Sequence, residues 1–174
     1  LPTLPHPLQR LEAVEWLPFK AAIEAEVSSI MTAHLVVEPI DSLPATLSHT
    51  FFTKYLRHQL GLRGAFISDD VDTKALYDHH AMEDVGPMGL KAGIDVFLAC
   101  RDPEAIMNLY RGIVVAAEKN TLPHEVLAQR AAMATAWRQR YTREALPTKS
   151  AVQSLRRAVD GHRHAAARRG RRPS

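Results

Sequence analysis

The apolar residues of this chain fall into two kinds of stretch, which predict strands and helices in alternation. Three short stretches are almost continuously apolar, as is typical of strands covered on both faces of a parallel sheet. They cover residues 29–37, 64–68 and 93–99. Longer stretches repeat apolar residues every three or four positions, which predicts helices with one buried face. They cover residues 8–26, 49–60, 103–120 and 123–141, and a further helix is expected before the third strand.

Residues that begin, end or break helices lie at the expected places. Ser48 precedes the helix predicted over residues 49–60, and Gly61 follows it. Asp102 is the predicted N-cap of the helix over residues 103–120, which begins with a proline. Pro18 is expected to break the first helix in two, because proline lacks the N–H that a helix interior needs.

The order of elements predicts an α/β fold. Strands that alternate with helices of about ten residues or more indicate βαβ units and a parallel sheet. The alternation by itself does not separate a closed barrel from an open sheet. In the helix over residues 103–120, the apolar spacing predicts one buried face, made of Ile106, Leu109, Tyr110, Ile113 and Ala117.

Candidate chemistry lies where the predicted strands end. In both parallel architectures, functional groups gather beyond the carboxyl ends of the strands. His34 ends the first predicted strand, and Asp69 and Asp70 directly follow the second. Because successive side chains of a strand point in opposite directions, one of these acids is expected to face the site and the other to bond the backbone or solvent.

Other kinds of site have weaker support. Asp69, Asp70, Asp72 and His34 lack the spacing of a known metal-binding loop, so we predict no metal site. The chain has no Gly-x-Ser-x-Gly turn and no glycine-rich phosphate loop, and we predict no cofactor. The single cysteine, Cys100, excludes an intramolecular disulfide and favours a cytoplasmic location.

The charge of the chain is uneven. Residues 156–174 carry seven arginines and one acid, Asp160, and so a net charge of +6 with histidine neutral. We predict that residues 146–174 are a basic, disordered tail, and that nucleic-acid binding is not its role because no aromatic residues lie among the arginines. No apolar run reaches the length of a membrane-spanning helix, so no membrane association is predicted.

Five segments of the chain resemble the glycoside hydrolase family 3 catalytic domain, and most closely its bacterial β-N-acetylhexosaminidase branch. In chain order they cover residues 30–34 (IMTAH), 41–48 (DSLPATLS), 56–64 (LRHQLGLRG), 67–70 (ISDD) and 91–95 (KAGID). The resemblance implies that residues 1–145 supply about the last three strands of a TIM (β/α)8 barrel.

The resemblance also implies an activity and its residues. It implies a retaining hydrolase that removes terminal β-N-acetylglucosamine from peptidoglycan-derived or related glycans, with Asp69 as the nucleophile and His34 lining the sugar pocket. In this branch the general acid is a histidine on an earlier loop, which would precede Leu1. The isolated chain is therefore expected to be inactive, and to self-associate or to need the missing N-terminal half of the barrel.

The chain also departs from the family pattern. Thr73 replaces the usual methionine, and Gly86, Pro87 and Gly89 replace good helix formers. A proline in a helix interior costs about 3 kcal/mol relative to alanine. The alternative is a non-catalytic, truncated barrel module that binds a glycan or a protein partner.

Overall fold

A computed structural model provides the structure of the protein, and it describes residues 1–141, 150, 153 and 154. The chain divides into two compact units, Leu1–Arg140 and Tyr141–Ser174. All the elements given below lie in the first unit, except that the last helix ends at Tyr141, the first residue of the second. The predicted boundary after residue 145 stays a prediction. The predicted tail lies outside the described residues, apart from residues 150, 153 and 154.

The first unit alternates short strands with helices. The strands are β1 (Thr3–Leu4), β2 (Ser29–Met31), β3 (Val36–Val37), β4 (Ala65–Asp70) and β5 (Val96–Leu98). The α-helices are α1 (Leu8–Arg10), α2 (Leu17–Glu24), α3 (Lys74–Tyr77), α4 (Met82–Ala92), α5 (Pro103–Glu118) and α6 (His124–Tyr141). Two segments, Leu11–Glu15 and Thr50–Gln59, have π-helical hydrogen bonding, and Ala45–Leu47 is a 3₁₀ turn.

The strands form parallel pairs, as the sequence predicts. One sheet has the order β2-β4-β5, with Met31 opposite Ile67 and Ile67 opposite Val96. The second pair joins β1 to β3. The α/β prediction is therefore confirmed. The described strands do not close into a barrel, and within the described residues β2 and β5 each pair only with β4.

The strand predicted over residues 29–37 is wrong in its length. Strand β2 ends at Met31, although the Thr32 amide still donates to the Ile67 carbonyl at 2.8 Å. The Leu35 amide then bonds the carbonyl of Ala33, which turns the chain. The remaining residues of the predicted strand form β3, which pairs with β1 outside the three-stranded sheet.

The helix boundaries follow the predicted signals. The Ser48 hydroxyl accepts a hydrogen bond from the Phe51 amide at 3.0 Å, at the start of the helix Thr50–Gln59. The Asp102 carboxylate accepts from the Glu104 amide at 2.9 Å and caps α5. The break predicted at Pro18 lies at Trp16, so that the proline stands in the first turn of α2, where a missing N–H costs no helical hydrogen bond.

Helix α4 tolerates Pro87 through its packing against α5. Pro87 has no N–H, so the Glu83 carbonyl lacks its usual partner one turn later. Gly112 of α5 lies directly over this carbonyl, and a Cβ there would be 1.8 Å from the Glu83 oxygen. Gly86 similarly approaches the carbonyl of Leu109, which a Cβ would meet at 2.8 Å. Gly86 and Gly112 therefore allow α4 and α5 to cross closely.

The packing of α5 against α4 shows that the predicted buried face of α5 is partly wrong. Leu109 is buried as expected, but Ile106 and Tyr110 are 48% and 60% exposed. The buried face instead consists of Ala105, Leu109, Gly112 and Ala116. These are mostly small residues, which carry little hydrophobic signal in a sequence but let two helices approach closely.

A buried ion-pair cluster joins the sheet to the helices. The Asp95 side chain is fully buried, with one oxygen 2.7 Å from the Arg57 guanidinium and the other 3.1 Å from that of Arg130. It also accepts from the Phe66 amide at 2.9 Å. Burial raises the pKa of the Asp95 carboxyl, whereas the Phe66 amide and the two guanidinium groups act to lower it.

Candidate active site

Asp69 and Asp70 end strand β4 and point in opposite directions. Phe66 packs its ring on Phe52 of the helical layer, with the ring centroids 4.7 Å apart. By strand alternation, Ile67 and Asp69 lie on the other face of the sheet. Asp69 is exposed, and its Oδ1 accepts from the Asp70 amide at 2.8 Å. Within the part of the chain that the structure describes, Asp69 Oδ2 accepts no hydrogen bond.

The carboxylate of Asp70 has a structural role in the loops around it. Its Oδ1 accepts from the amides of Asp72 and Cys100, at 3.1 and 3.0 Å. Its Oδ2 lies 3.7 Å from the Arg101 guanidinium. Asp70 therefore joins the end of β4 to the segment that follows β5, whereas Asp69 faces solvent.

The structure places His34 beneath this pair of acids. His34 is 7% exposed, and both of its ring nitrogens have partners within the protein. Nε2 lies 2.9 Å from the carbonyl oxygen of Asp70, and Nδ1 lies 2.8 Å from the hydroxyl of Thr46. Sequence reasoning predicted both Asp69 and His34, and the fold brings the two strand ends together. Contact of His34 with a substrate stays a prediction.

Two threonines complete the surroundings of the acid pair. The Thr46 hydroxyl lies 3.0 Å from that of Thr32, which accepts from the Asp69 amide at 3.3 Å. Thr46 is fully buried and Thr32 is 6% exposed. Both lie inside the segments IMTAH and DSLPATLS, but sequence reasoning did not identify either. Their only sequence signal is a polar residue within or beside an otherwise apolar stretch.

The described residues offer no group of three or more histidine, cysteine, aspartate or glutamate side chains arranged to hold a metal ion. Asp70 and Asp72 instead direct their carboxylates to backbone amides, since Asp72 Oδ2 accepts from Asp102 at 2.7 Å. No described helix is both long and apolar enough to cross a membrane.

The inner face of the sheet below Asp69 is apolar and partly open. Met31 of β2 is 55% exposed, and Ile67, Val96 and Leu98 are half-buried. An apolar pocket of about 240 Å³ lies beside β2, with Met31, Trp16 and Phe51 in its wall. Asp69 and His34 do not line that pocket, so the acid pair is the better candidate for chemistry on a polar substrate.

Comparison with known protein families shows to which family the chain belongs. The family model described as "Glycosyl hydrolase family 3 N terminal domain" matches residues 1–135. The chain belongs to glycosyl hydrolase family 3. Its α/β fold, its parallel strands and the aspartate at a strand end agree with the resemblance drawn from the sequence.

Individual relatives support the same assignment. The chain is 33% identical to a β-hexosaminidase of Alkalilimnicola ehrlichii over 111 residues, which are 64% of this chain and 32% of that protein. It is 36% identical to a β-hexosaminidase of Xanthomonas oryzae over 102 residues, 59% of this chain and 30% of that protein. The chain thus matches about a third of the length of these relatives.

Solved structures of the family have the same fold. A family 3 β-N-acetylglucosaminidase of Paenibacillus superimposes with a TM-score of 0.79 at 28% identity, covering 86% of this chain and 30% of that one. The β-N-acetylglucosaminidase of Thermotoga maritima gives a TM-score of 0.77 at 26% identity, covering 83% and 32%. The family 3 fold therefore extends over most of the present chain.

Proposed function

We propose that Asp69 is the nucleophile of a retaining glycosidase site that hydrolyses terminal β-N-acetylglucosaminides. The observation that carries this proposal is the divergence of two adjacent carboxylates at the end of β4. Asp70 is held by the amides of Asp72 and Cys100, whereas Asp69 is exposed and keeps one oxygen unbonded among the described residues. A nucleophile needs an accessible ionised oxygen in a fixed position, and only the first acid offers one.

The reaction has two displacements at the same carbon. Asp69 Oδ2 forms a bond to the anomeric carbon as the glycosidic bond breaks, and the leaving oxygen takes a proton from a general acid. Water then attacks the same carbon, gives a proton to the conjugate base and releases the Asp69 carboxylate. The negative charge of the carboxylate also stabilises the oxocarbenium-like transition state. No residue of this chain is assigned as the general acid, which we expect from an earlier part of the barrel.

The substrate follows from the relatives. They are named β-hexosaminidase or β-N-acetylglucosaminidase, which favours a terminal β-linked N-acetylhexosamine. Peptidoglycan-derived glycans are our proposed source of this sugar. The preceding part of the barrel is the proposed partner of the open inner face around Met31. The cytoplasmic location inferred from the single cysteine stays a prediction.

The test is hydrolysis of a chromogenic N-acetyl-β-glucosaminide. The 174-residue chain is assayed alone and mixed with the preceding part of the barrel from the Alkalilimnicola ehrlichii relative. Asp69→Ala is assayed beside Asp78→Ala, a matched control that removes an exposed carboxylate from the loop after α3. We expect activity in the mixture, a loss on the order of 1,000-fold or more in Asp69→Ala, and little change in Asp78→Ala.

Two results would contradict the proposal. Retention of activity in Asp69→Ala would exclude this residue as the nucleophile. A mixture that is folded and associated, yet inactive, would favour the non-catalytic barrel module.

A further inference from the structure

We propose that Thr46 is a positioning residue for Asp69, acting through Thr32 and His34; this inference rests on the proposed role of Asp69. The three side chains form a continuous chain of hydrogen bonds from the Asp69 amide to the Asp70 carbonyl. The contacts run from Asp69 N to Thr32 (3.3 Å), on to Thr46 (3.0 Å), then to His34 Nδ1 (2.8 Å), and from Nε2 to Asp70 O (2.9 Å).

For a neutral His34 imidazole, the donor and acceptor capacities of the groups fix the direction of these hydrogen bonds. A carbonyl oxygen only accepts, so His34 Nε2 carries a proton and donates it to Asp70. In the neutral imidazole, Nδ1 then accepts, and the Thr46 hydroxyl is the donor. Thr46 has one hydroxyl proton, so Thr32 must donate to it. The Thr46 hydroxyl also lies 3.2 Å from the Ala33 carbonyl, which is a second acceptor for its proton, and the contact with His34 Nδ1 is the shorter of the two.

These hydrogen bonds hold the backbone on both sides of the peptide group between Asp69 and Asp70, which orients the proposed nucleophile. The Asp70 amide, within that peptide, donates to Asp69 Oδ1 at 2.8 Å. The direction of the Asp70 amide therefore sets the orientation of the Asp69 carboxylate. Thr32 holds the backbone on one side of this peptide and His34 on the other, and Thr46 joins the two. All three side chains are nearly or fully buried, so water does not readily replace a lost member.

A fixed carboxylate matters because nucleophilic attack depends on orientation. A displacement of about 1 Å can cost on the order of 100-fold in rate. Thr46 is fully buried, so removing its hydroxyl changes no surface that a substrate could contact directly. The effect should therefore fall on kcat and not on KM.

The first experiment measures position without needing catalysis. Thr46→Val keeps the shape of the side chain and removes its hydroxyl, whereas Thr46→Ser keeps the hydroxyl. Thr53→Val is the matched control, because Thr53 donates to the Ala92 carbonyl at 2.9 Å in the helical layer and takes no part in the chain of bonds. Three-bond NMR couplings to the Asp69 carboxyl carbon report its χ1 rotamer, and ¹⁵N shifts report the His34 tautomer.

We expect one Asp69 rotamer and the Nε2–H tautomer of His34 in the native chain, in Thr46→Ser and in Thr53→Val. Thr46→Val should show averaged rotamers of Asp69. Thr32→Val, which removes the hydroxyl beside the Asp69 amide, should do the same and gives a second test where Thr46→Val folds poorly. An unchanged Asp69 rotamer in a folded Thr46→Val or Thr32→Val chain would overturn the inference.

The second experiment is kinetic and uses the chain mixed with the preceding part of the barrel. We expect Thr46→Val to lower kcat about tenfold with KM within about twofold, and Thr46→Ser and Thr53→Val to stay near the native rate. An equal loss in Thr53→Val would show a general effect of stability and would contradict the positioning role. Inactivity of every mixture, or activity in Asp69→Ala, would reject the proposed function, and the NMR result would still decide whether the hydrogen bonds hold Asp69.

Discussion

The Nε2 atom of His34 lies 2.9 Å from the carbonyl oxygen of Asp70, so a buried imidazole supports the backbone beside the proposed nucleophile. The other ring nitrogen contacts Thr46. An imidazole placed in this way contributes to the stability of the fold as well as to the geometry of the site. The effect of removing the imidazole on stability should therefore be measurable without an activity assay.

His34→Ala should lower the free energy of unfolding by about 2–3 kcal/mol, because it removes a hydrogen-bond partner from the Asp70 carbonyl and from the Thr46 hydroxyl and leaves a cavity in place of a buried ring. Urea unfolding followed by circular dichroism gives the value. His79→Ala is the control, since His79 is exposed, and it should change the stability by less than about 0.5 kcal/mol. Equal effects of the two substitutions would show that the contacts of His34 contribute nothing.

Asp95→Asn should be the most destabilising of these changes, by about 3–5 kcal/mol, because it leaves two guanidinium groups without their buried counter-charge. The Arg57 side chain is 13% exposed and that of Arg130 is 8% exposed, so solvent compensates little. Asp78→Asn, at an exposed position, is the matched control. The same unfolding measurement applies, and a loss below about 1 kcal/mol would mean that the ion pairs contribute no more than surface pairs do.

Gly112→Ala should destabilise the protein by about 1–3 kcal/mol, even though alanine favours a helix by about 1 kcal/mol over glycine. The added methyl would lie 1.8 Å from the Glu83 carbonyl oxygen, so α4 and α5 must separate. Arg111→Ala, at the exposed neighbouring position, should change the stability by less than about 0.5 kcal/mol. A Gly112→Ala protein more stable than the native one would contradict the close crossing.

Tyr55 should make stability fall in alkaline solution. Burial, together with a hydrogen bond to the Glu12 carboxylate, raises the pKa of Tyr55 above its ordinary value. The folded state therefore favours the neutral phenol. Its contribution is fully present below the unfolded pKa of about 10, and it is lost as the pH rises through the higher folded value.

Tyr55→Phe removes this titration, so its stability should decline less steeply than that of the native chain between about pH 9.5 and 11. Tyr110→Phe is the control, since Tyr110 is 60% exposed, and its decline should match the native one. Urea midpoints across this pH range provide the comparison. A parallel decline in the native chain and in Tyr55→Phe would show that the phenol is not preferentially neutral in the fold.

Much of the fold could be predicted because its signals are local. The cap at Asp102 and the hydroxyl at Ser48 act within three residues of their own positions, and the structure shows both bonds. The carboxylates of Asp69 and Asp70 were predicted to diverge because neighbouring residues of a strand always do, and the second indeed bonds backbone amides.

Other features could not be predicted because their causes lie far away in the chain. The turn after Met31 depends on partners in β1 and β4, and it divides a stretch whose apolar pattern is continuous. The buried face of α5 depends on Gly112 meeting Glu83 across 29 positions, which apolar spacing does not encode. Small residues fit there because the neighbouring backbone is close, and their burial does not depend on strong hydrophobicity.

The sequence by itself thus determined the alternation of elements and the family resemblance, and it singled out Asp69 as the proposed nucleophile, since each depends on residue type and local order. Only the tertiary structure decided what surrounds that aspartate. Thr32, Thr46 and His34 come from two separate segments and meet beneath Asp69 and Asp70. Hydrogen bonds need atoms within about 3 Å, and only the folding of β2, β4 and the turn at Ala45–Leu47 brings these atoms that close.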